Sequence, residues 1–291
     1  MRRTRQTITV FAYIVGVHAL CLLALSLCRV LLLVANLPTG DVQWAWLLRA
    51  MLIGVKFDNL IACYVSALPL VALSLLALTL PEKVGFRRVV GVAVRIVAWF
   101  YGIVYTLGLV VEVADVRYYR FFDNHLNISV AEWFAFAGDT AGMIFGDKGN
   151  WLFIAIGVAL IALFWMALWG FTRFFVRRLP DDRVLQPAGG KDWTCAILFV
   201  ILTWGLCFCG IRGSFQRYPL NVSFAYFCDH PFYNRLGVNP IFNIIKSAEY
   251  ISGEMPELLR VNEQDALTAV QHELNVRTAD AQHPLLRYMG P

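Results

Sequence analysis

Charged side chains are scarce in this sequence. Asp, Glu, Lys and Arg together fill 15% of the 291 positions, and the formal net charge is only +5. The basic residues stand in short clusters beside apolar segments and do not form an extended stripe. A nucleic-acid-binding domain needs such a stripe to contact phosphates. We therefore predict no nucleic-acid partner.

Cysteine and histidine add little chemistry. Six of the seven cysteines lie inside apolar segments, where they act as small packing residues, so no disulfide framework is predicted. The stretch after residue 211 holds Asp229, His230, His272 and His283 with scattered glutamates. Metal-assisted phosphoryl chemistry needs several carboxylates and histidines that converge on an ion. These residues are too dispersed, so the sequence predicts no metal site and no catalytic residue in this chain.

Hydrophobic residues, in contrast, make up 59% of the chain. This share is above the usual composition of soluble domains. A helix needs roughly 20 apolar residues to cross a bilayer core of about 30 Å. Five segments satisfy this requirement: residues 8–34, 60–80, 89–113, 151–171 and 193–211. The sequence therefore predicts an all-α integral membrane protein with five transmembrane helices.

The basic clusters predict the orientation of these helices. They lie at residues 2–5, 83–88 and 173–191, and the five-helix arrangement puts all three on the same side. The first connection, residues 36–43, has no Lys or Arg. Loops rich in Lys and Arg stay in the cytoplasm. We therefore predict that the N-terminus is inside and the C-terminus outside.

Other segments are predicted to lie along the membrane or beyond it. Residues 43–56 and 129–145 have the composition of interfacial helices on the outer face, and the second crossing then begins near Asp58. We predict a transmembrane domain over residues 1–211 and an extracytoplasmic linker over residues 212–291, with an amphipathic helix near 263–274. Arg29 lies within reach of a membrane face, so its side chain is expected to extend to that face.

Three clusters of charged and aromatic residues remain on the predicted outer face. Their cations suit contacts to an anionic phospholipid headgroup, and their carboxylates are expected to orient these cations. The residues of this predicted headgroup site are Lys56, Asp58, Asp115, Arg117, Arg120, Arg212 and Arg217. Ordinary interfacial anchoring without a specific ligand is the alternative interpretation.

Sequence motifs in the same clusters carry a resemblance to a known family. The first is the Gly-x-Lys-Phe-Asp pattern at residues 54–58, and the second is the Asp-x-x-Tyr-Tyr-Arg-Phe run at residues 115–121. The third spans residues 212–247 and includes Asn-Arg-Leu-Gly-Val-Asn-Pro-Ile-Phe at residues 234–242. In their order and spacing these motifs resemble the membrane half of lipoteichoic-acid-synthase-type proteins. The resemblance covers essentially the whole chain.

In that family, five helices precede an extracytoplasmic sulfatase-type domain of the alkaline phosphatase superfamily. That domain uses a divalent metal, manganese or magnesium, and a threonine nucleophile to transfer phosphoglycerol from phosphatidylglycerol to a polymer or glycan. The resemblance implies a multi-pass protein of the bacterial cell (inner) membrane that contacts the bilayer and an anionic phospholipid such as phosphatidylglycerol. Because the chain ends about where the catalytic domain would begin, we expect it to hold no cofactor and not to catalyse transfer alone.

Two alternatives stay open. A phosphoethanolamine transferase shares the plan of five helices followed by a hydrolase-type domain, although the motif spacing favours the phosphoglycerol family. A free-standing membrane module for lipid binding or transport, working with a separately encoded catalytic domain, is the other. A transporter is expected to show internal repeats or broken helices with polar groups at the midplane. We find no such repeat, so this alternative ranks last.

Overall fold

The computed structural model describes residues 2–37, 41–81, 85–180, 189–252 and 262–273. Within these ranges the regular structure is helical, and no strand is found. The α-helices are α1 (Arg2–Asn36), α2 (Trp44–Thr79), α3 (Phe86–Phe122), α4 (Ala137–Gly146), α5 (Lys148–Arg177), α6 (Gly190–Arg212), α7 (Pro231–Leu236), α8 (Pro240–Ser252) and α9 (Glu263–Glu273). Two short 3-10 helices, Ile128–Phe134 and Val222–Ala225, lie between them.

Five of these helices are long and apolar enough to span a membrane. They are α1, α2, α3, α5 and α6. Apolar side chains remain exposed along them, for example Leu23 on α1, Leu107 on α3 and Leu202 on α6. The prediction of five helices of membrane-spanning length is confirmed, and it supports a multi-pass membrane protein.

The second of these helices runs further than the sequence predicts. We expected an interfacial helix over residues 43–56 and a separate crossing from Asp58. This division is wrong, because α2 is continuous from Trp44 to Thr79. Ala50, Gly54 and Phe57 are all buried, so packing along the first half of α2 keeps it helical.

The connection between α3 and α5 also differs from the prediction. Instead of one helix over residues 129–145, the chain forms the 3-10 helix Ile128–Phe134 and then α4. The side chain of Asn127 accepts a hydrogen bond from the Ser129 backbone N–H and so caps the first of these. None of their residues is buried, and Phe134 and Met143 are largely exposed. Their location at a membrane interface stays a prediction.

The helices differ greatly in length, and this difference defines two ends of the bundle. At a rise of about 1.5 Å per residue, α2 is roughly 54 Å long and α6 roughly 35 Å. At one end, α6 begins beside α1, where Asp192 accepts hydrogen bonds from the backbone N–H groups of Arg3 and Thr4. At the other end, α6 finishes near the middle of α2, because a Cβ on Gly210 would contact Cys63. We call the end at which α6 begins the open end.

At the other end, which we call the capped end, α1, α2 and α3 continue beyond α6. There the segment of residues 213–247 packs against them. Tyr233 and Leu236 of α7 join a cluster with Leu32 of α1 and Ala50 of α2. Phe242 of α8 joins a second cluster and lies 4.9 Å from Phe57, measured between ring centroids. Apolar packing therefore fixes this segment to the projecting helices.

The chain divides into two compact units, Met1–Ser247 and Ala248–Pro291. The first unit therefore contains the five long helices together with residues 213–247, which we expected to belong to a linker beginning at residue 212. In the second unit the described structure includes α9, which confirms the helix predicted near residues 263–274.

Candidate functional site

Four polar side chains are buried together at the capped end. They are Arg29 of α1, Asp58 of α2, Glu112 of α3 and Asn239, which directly precedes α8. Asp58 and Asn239 have no exposed surface, and Arg29 and Glu112 are 4% and 6% exposed. We call these four residues the buried polar network. It connects three membrane-spanning-length helices to the segment of residues 213–247.

Arg29 is the cation of this network. Its Nη2 donates to Asp58 Oδ1 at 2.5 Å and to the Gly54 carbonyl at 3.2 Å. Its Nη1 donates to the Val238 carbonyl at 3.2 Å and also to the Leu236 carbonyl. A planar guanidinium with several fixed donors suits such a set of acceptors. Arg29 therefore joins α2 to the turn between α7 and α8.

Asn239 connects the network to the start of α8. Its Oδ1 accepts hydrogen bonds from the backbone N–H groups of Ile241 and Phe242 at 2.9 and 3.2 Å. This capping fixes the direction of the amide, so that its Nδ2 donates to Asp58 Oδ1 at 3.0 Å and to Glu112 Oε1 at 2.7 Å. Only an amide combines an acceptor for the helix with a donor for both carboxyl groups.

Two atoms of the network have no partner among the described residues. They are Asp58 Oδ2 and Arg29 Nε, and both are buried. A buried polar atom without a partner lowers the free energy of unfolding. Loss of a further hydrogen bond in the network would add to this cost. Two carboxyl groups also face a single guanidinium here. The network is thus specified by hydrogen bonding as well as by charge.

A second buried contact between polar side chains lies further along α3. Asp115 Oδ2 is 2.6 Å from His125 Nδ1, and Asp115 Oδ1 accepts a hydrogen bond from the Leu126 backbone N–H at 2.7 Å. The other ring nitrogen, His125 Nε2, is 2.8 Å from the Arg235 carbonyl. Both nitrogens of the buried ring therefore have a polar partner. This pair connects α3, the loop after it, and α7.

The two carboxylates of the predicted headgroup site therefore have other roles in the fold. Asp58 and Asp115 are buried and bonded to Arg29 and to His125. None of the five predicted cations forms an ion pair with either carboxylate among the described residues. The expectation that Asp58 and Asp115 orient those cations is therefore wrong. Three of these cations are exposed at the capped end: Lys56, Arg120 and Arg217.

The remaining two predicted cations are half-buried and bonded to protein. Arg117 Nε donates to Asn150 Oδ1 at 2.8 Å, and its Nη2 donates to Asp147 Oδ2 at 2.9 Å. It thereby joins α3 to the start of α5. Arg212 donates to the Ser214 and Gln216 carbonyls at 3.0 and 2.8 Å and so closes the turn after α6. The binding of a headgroup by these cations stays a prediction.

Sequence reasoning missed the centre of the site. Arg29 was expected to extend to a membrane face, but it is buried and ion-paired, so that interpretation is wrong. Glu112 and His125 received no role, although Glu112 lies inside the predicted crossing over residues 89–113, and an ionisable residue within a crossing is a recognised signal of function. Asn239 followed by Pro240 is a helix-start signature, and it would have predicted Asn239 as the N-terminal cap of α8.

Comparison with known proteins adds no further constraint. No protein-family model matches the chain, and the searches of curated proteins and of solved structures found no match. Among the described residues, no group of three or more His, Cys, Asp or Glu side chains is arranged to hold a metal ion.

Proposed function

We propose that this chain is the membrane module of a phosphoglycerol transferase of the lipoteichoic-acid-synthase type. In this proposal the N-terminus is inside, the capped end is on the outer face, and the module holds an anionic phospholipid headgroup for a sulfatase-type domain. The supporting observation is that the three motifs carrying the resemblance meet at the capped end.

The three motifs are connected by contacts between buried polar groups. Asp58 of the first motif and Asn239 of the third are 181 positions apart, yet their side chains are hydrogen-bonded. Asp115 begins the second motif, and its partner His125 contacts the carbonyl of Arg235 in the third. Residues that serve packing alone would need only apolar contacts, whereas buried polar contacts impose one arrangement. The motifs thus contribute to a single structural unit.

This unit has a mechanical consequence for the proposed function. Residues 213–247 are attached to α1, α2 and α3 by the buried polar network and by apolar packing. A domain that acts on lipid headgroups needs a fixed height and direction relative to the membrane surface. In our proposal the capped end supplies this fixed base, and the exposed cations at its edge attract the anionic lipid.

Lipid retention tests the headgroup part of the proposal. We expect the double substitution Arg120→Gln and Arg217→Gln to lower retention of phosphatidylglycerol by at least about a hundredfold, because each of the two lost charge-assisted contacts to phosphate contributes about 1.5–3 kcal/mol. The measurement is native mass spectrometry of the purified chain at raised salt, which screens diffuse attraction between exposed charges. Phosphatidylethanolamine, measured in parallel, distinguishes the phosphoethanolamine alternative.

Lys148→Gln is the matched control for this experiment. Lys148 is also exposed, and it begins α5 beside the contact between Arg117 and Asp147. Retention equal to the native chain in the double variant, or an equal loss in the control, would refute a specific role for Arg120 and Arg217. Preferential retention of phosphatidylethanolamine by the native chain would favour the alternative transferase.

A second experiment tests the proposed orientation. A reporter that is active only outside the cytoplasm should be active when it is fused after Pro291 and silent when it is inserted after Gly189. The reason is the position of the basic clusters, which retain the loop between α5 and α6 inside. The reverse pattern of activity would contradict the proposed topology.

A further inference from the structure

A cationic recess is located on α5 at the open end. Its volume is about 390 Å³, and it is lined by Gly170, Arg173, Phe174, Arg177 and Arg178. The guanidinium of Arg178 lies 4.1 Å from the centroid of the Phe174 ring, a cation–π contact that orients one wall of the recess. None of the described residues that line the recess is acidic. Its chemistry therefore suits an anion.

Gly170 lines the recess and adds no side chain to it. A Cβ at this position would have nothing within 4 Å. The space beside the glycine is therefore open and is not filled by a neighbouring helix. Helix packing does not explain the absence of a side chain here, since glycine in a helix interior is less stable than alanine.

A separate apolar groove lies on the same helix, nearer its N-terminus. Its walls come from α1, α3 and α5 and include Leu23, Leu27, Leu109, Leu163 and Ala167. Leu23 and Leu163 are more than half exposed, so the groove opens to the surroundings of the bundle. In a helix of membrane-spanning length, these surroundings are the hydrocarbon of the bilayer.

The groove and the recess share one face of α5. Residues 160, 163, 167, 170, 174 and 177 recur at intervals of three or four positions, which places them on one side of the helix. Ala167 and Arg177 are ten positions apart, roughly 15 Å along the helix axis. One leaflet of a bilayer core of about 30 Å has the same thickness. A phosphate at the arginines would therefore have the end of its acyl chain at the near edge of the groove, at Ala167.

We propose that this face of α5 is a binding site for an anionic glycerophospholipid in the leaflet at the open end. The headgroup phosphate lies in the recess with Arg173, Arg177 and Arg178, and one acyl chain runs along α5 to the near end of the apolar groove. A recess lined by three arginines, together with an apolar groove on the same helix, would distinguish this site from the diffuse attraction that any basic cluster exerts on anionic lipid. The site lies at the opposite end from the proposed headgroup site of the capped end.

The experiment measures which lipid remains bound after the chain is extracted from nanodiscs of phosphatidylglycerol and phosphatidylcholine. All variants carry Arg120→Gln and Arg217→Gln, so that a failure at the capped end does not affect the result. Without further changes, we expect phosphatidylglycerol to be enriched over its bulk share by about tenfold. The triple substitution Arg173→Gln, Arg177→Gln and Arg178→Gln should return the bound lipid to the bulk ratio.

Gly170→Leu is the more specific variant, because it narrows the recess and leaves every charge in place. We expect it also to abolish the enrichment. Gly205→Leu on α6 is its control, since a Cβ on Gly205 would likewise have nothing within 4 Å. Arg88→Gln removes an exposed charge at the same end and is the control for net charge. Both controls should retain the enrichment.

Three results would overturn the proposal. The first is full enrichment of phosphatidylglycerol in the Gly170→Leu variant. The second is a loss of enrichment in Arg88→Gln as large as the average loss for each arginine removed in the triple variant. Either would mean diffuse attraction only. The third is release of the lipid by millimolar inorganic phosphate, which would mean that the recess binds a free anion and that the groove contributes nothing. If Gly170→Leu does not fold, the triple variant and the phosphate competition decide the matter.

Discussion

The Arg29→Met variant is expected to unfold far more easily than the native chain. The substitution keeps a long apolar stem but leaves the Asp58 carboxylate buried without its cation, and the Leu236 and Val238 carbonyls lose their donor. Removing one partner of a buried ion pair costs about 3–5 kcal/mol. We expect a loss of this order in the free energy of unfolding, measured by thermal or denaturant unfolding in detergent micelles.

Two further variants make this result interpretable. Arg120→Met removes an exposed arginine from the same end of the bundle and should change the stability by less than about 0.5 kcal/mol. The double variant Arg29→Met with Asp58→Leu should recover much of the loss, because a buried pair can often be replaced as a whole. Equal stability of Arg29→Met and Arg120→Met would show that the buried polar network does not stabilise the fold.

The number of long helices could be predicted because bilayer thickness imposes a minimum length on each apolar segment. The five predicted segments correspond in order to the helices α1, α2, α3, α5 and α6. The signal is local, since it requires only a count of neighbouring apolar residues. The helix near residues 263–274 was likewise predicted from local periodicity.

The buried polar network could not be predicted in the same way, because its members are far apart in the chain. Asn239 contacts Glu112 and Asp58 across 127 and 181 positions. A single sequence gives the residue type at each position but not which positions meet. Arg29 illustrates the difficulty, since an arginine near the end of an apolar segment has the same local pattern whether it extends to water or pairs inside the protein.

The misjudged division of α2 has a related cause. The segment is too long for a single perpendicular crossing, and Arg49, Lys56 and Asp58 lie in its first half, so the sequence favoured a division. In the structure Arg49 lies over the Phe227 ring at 4.8 Å and Lys56 is exposed, while Asp58 pairs with Arg29. Arg49 and Lys56 thus lie on the exposed side of the helix, and Asp58 lies on its buried side. Tertiary contacts from residues 213–247, which no local pattern contains, decide the outcome.

Gly54→Ala is expected to destabilise the chain, although alanine favours helix formation. A Cβ on Gly54 would overlap the guanidinium of Arg29, which packs directly against the backbone of α2 at this point. The Gly54 carbonyl is also one of the acceptors of Arg29. Overpacking of this kind costs about 1–3 kcal/mol, and a displaced Arg29 would lose its contact with Asp58 as well. We therefore expect a lower unfolding temperature in detergent micelles.

Gly205→Ala supplies the opposite expectation on α6. A Cβ there has nothing within 4 Å, so alanine should be neutral or should stabilise by up to about 1 kcal/mol through its helix propensity.

A double-mutant cycle of Gly54→Ala with Arg29→Ala tests why alanine at position 54 destabilises the chain. If the overlap with Arg29 is the reason, alanine at position 54 costs little once the guanidinium is gone, and the two effects are strongly non-additive. Additive losses would mean that Gly54 is required by something other than the approach of Arg29. The glycine of the first motif would then have no connection to the buried polar network, and the physical link between motif and network would fail at that residue.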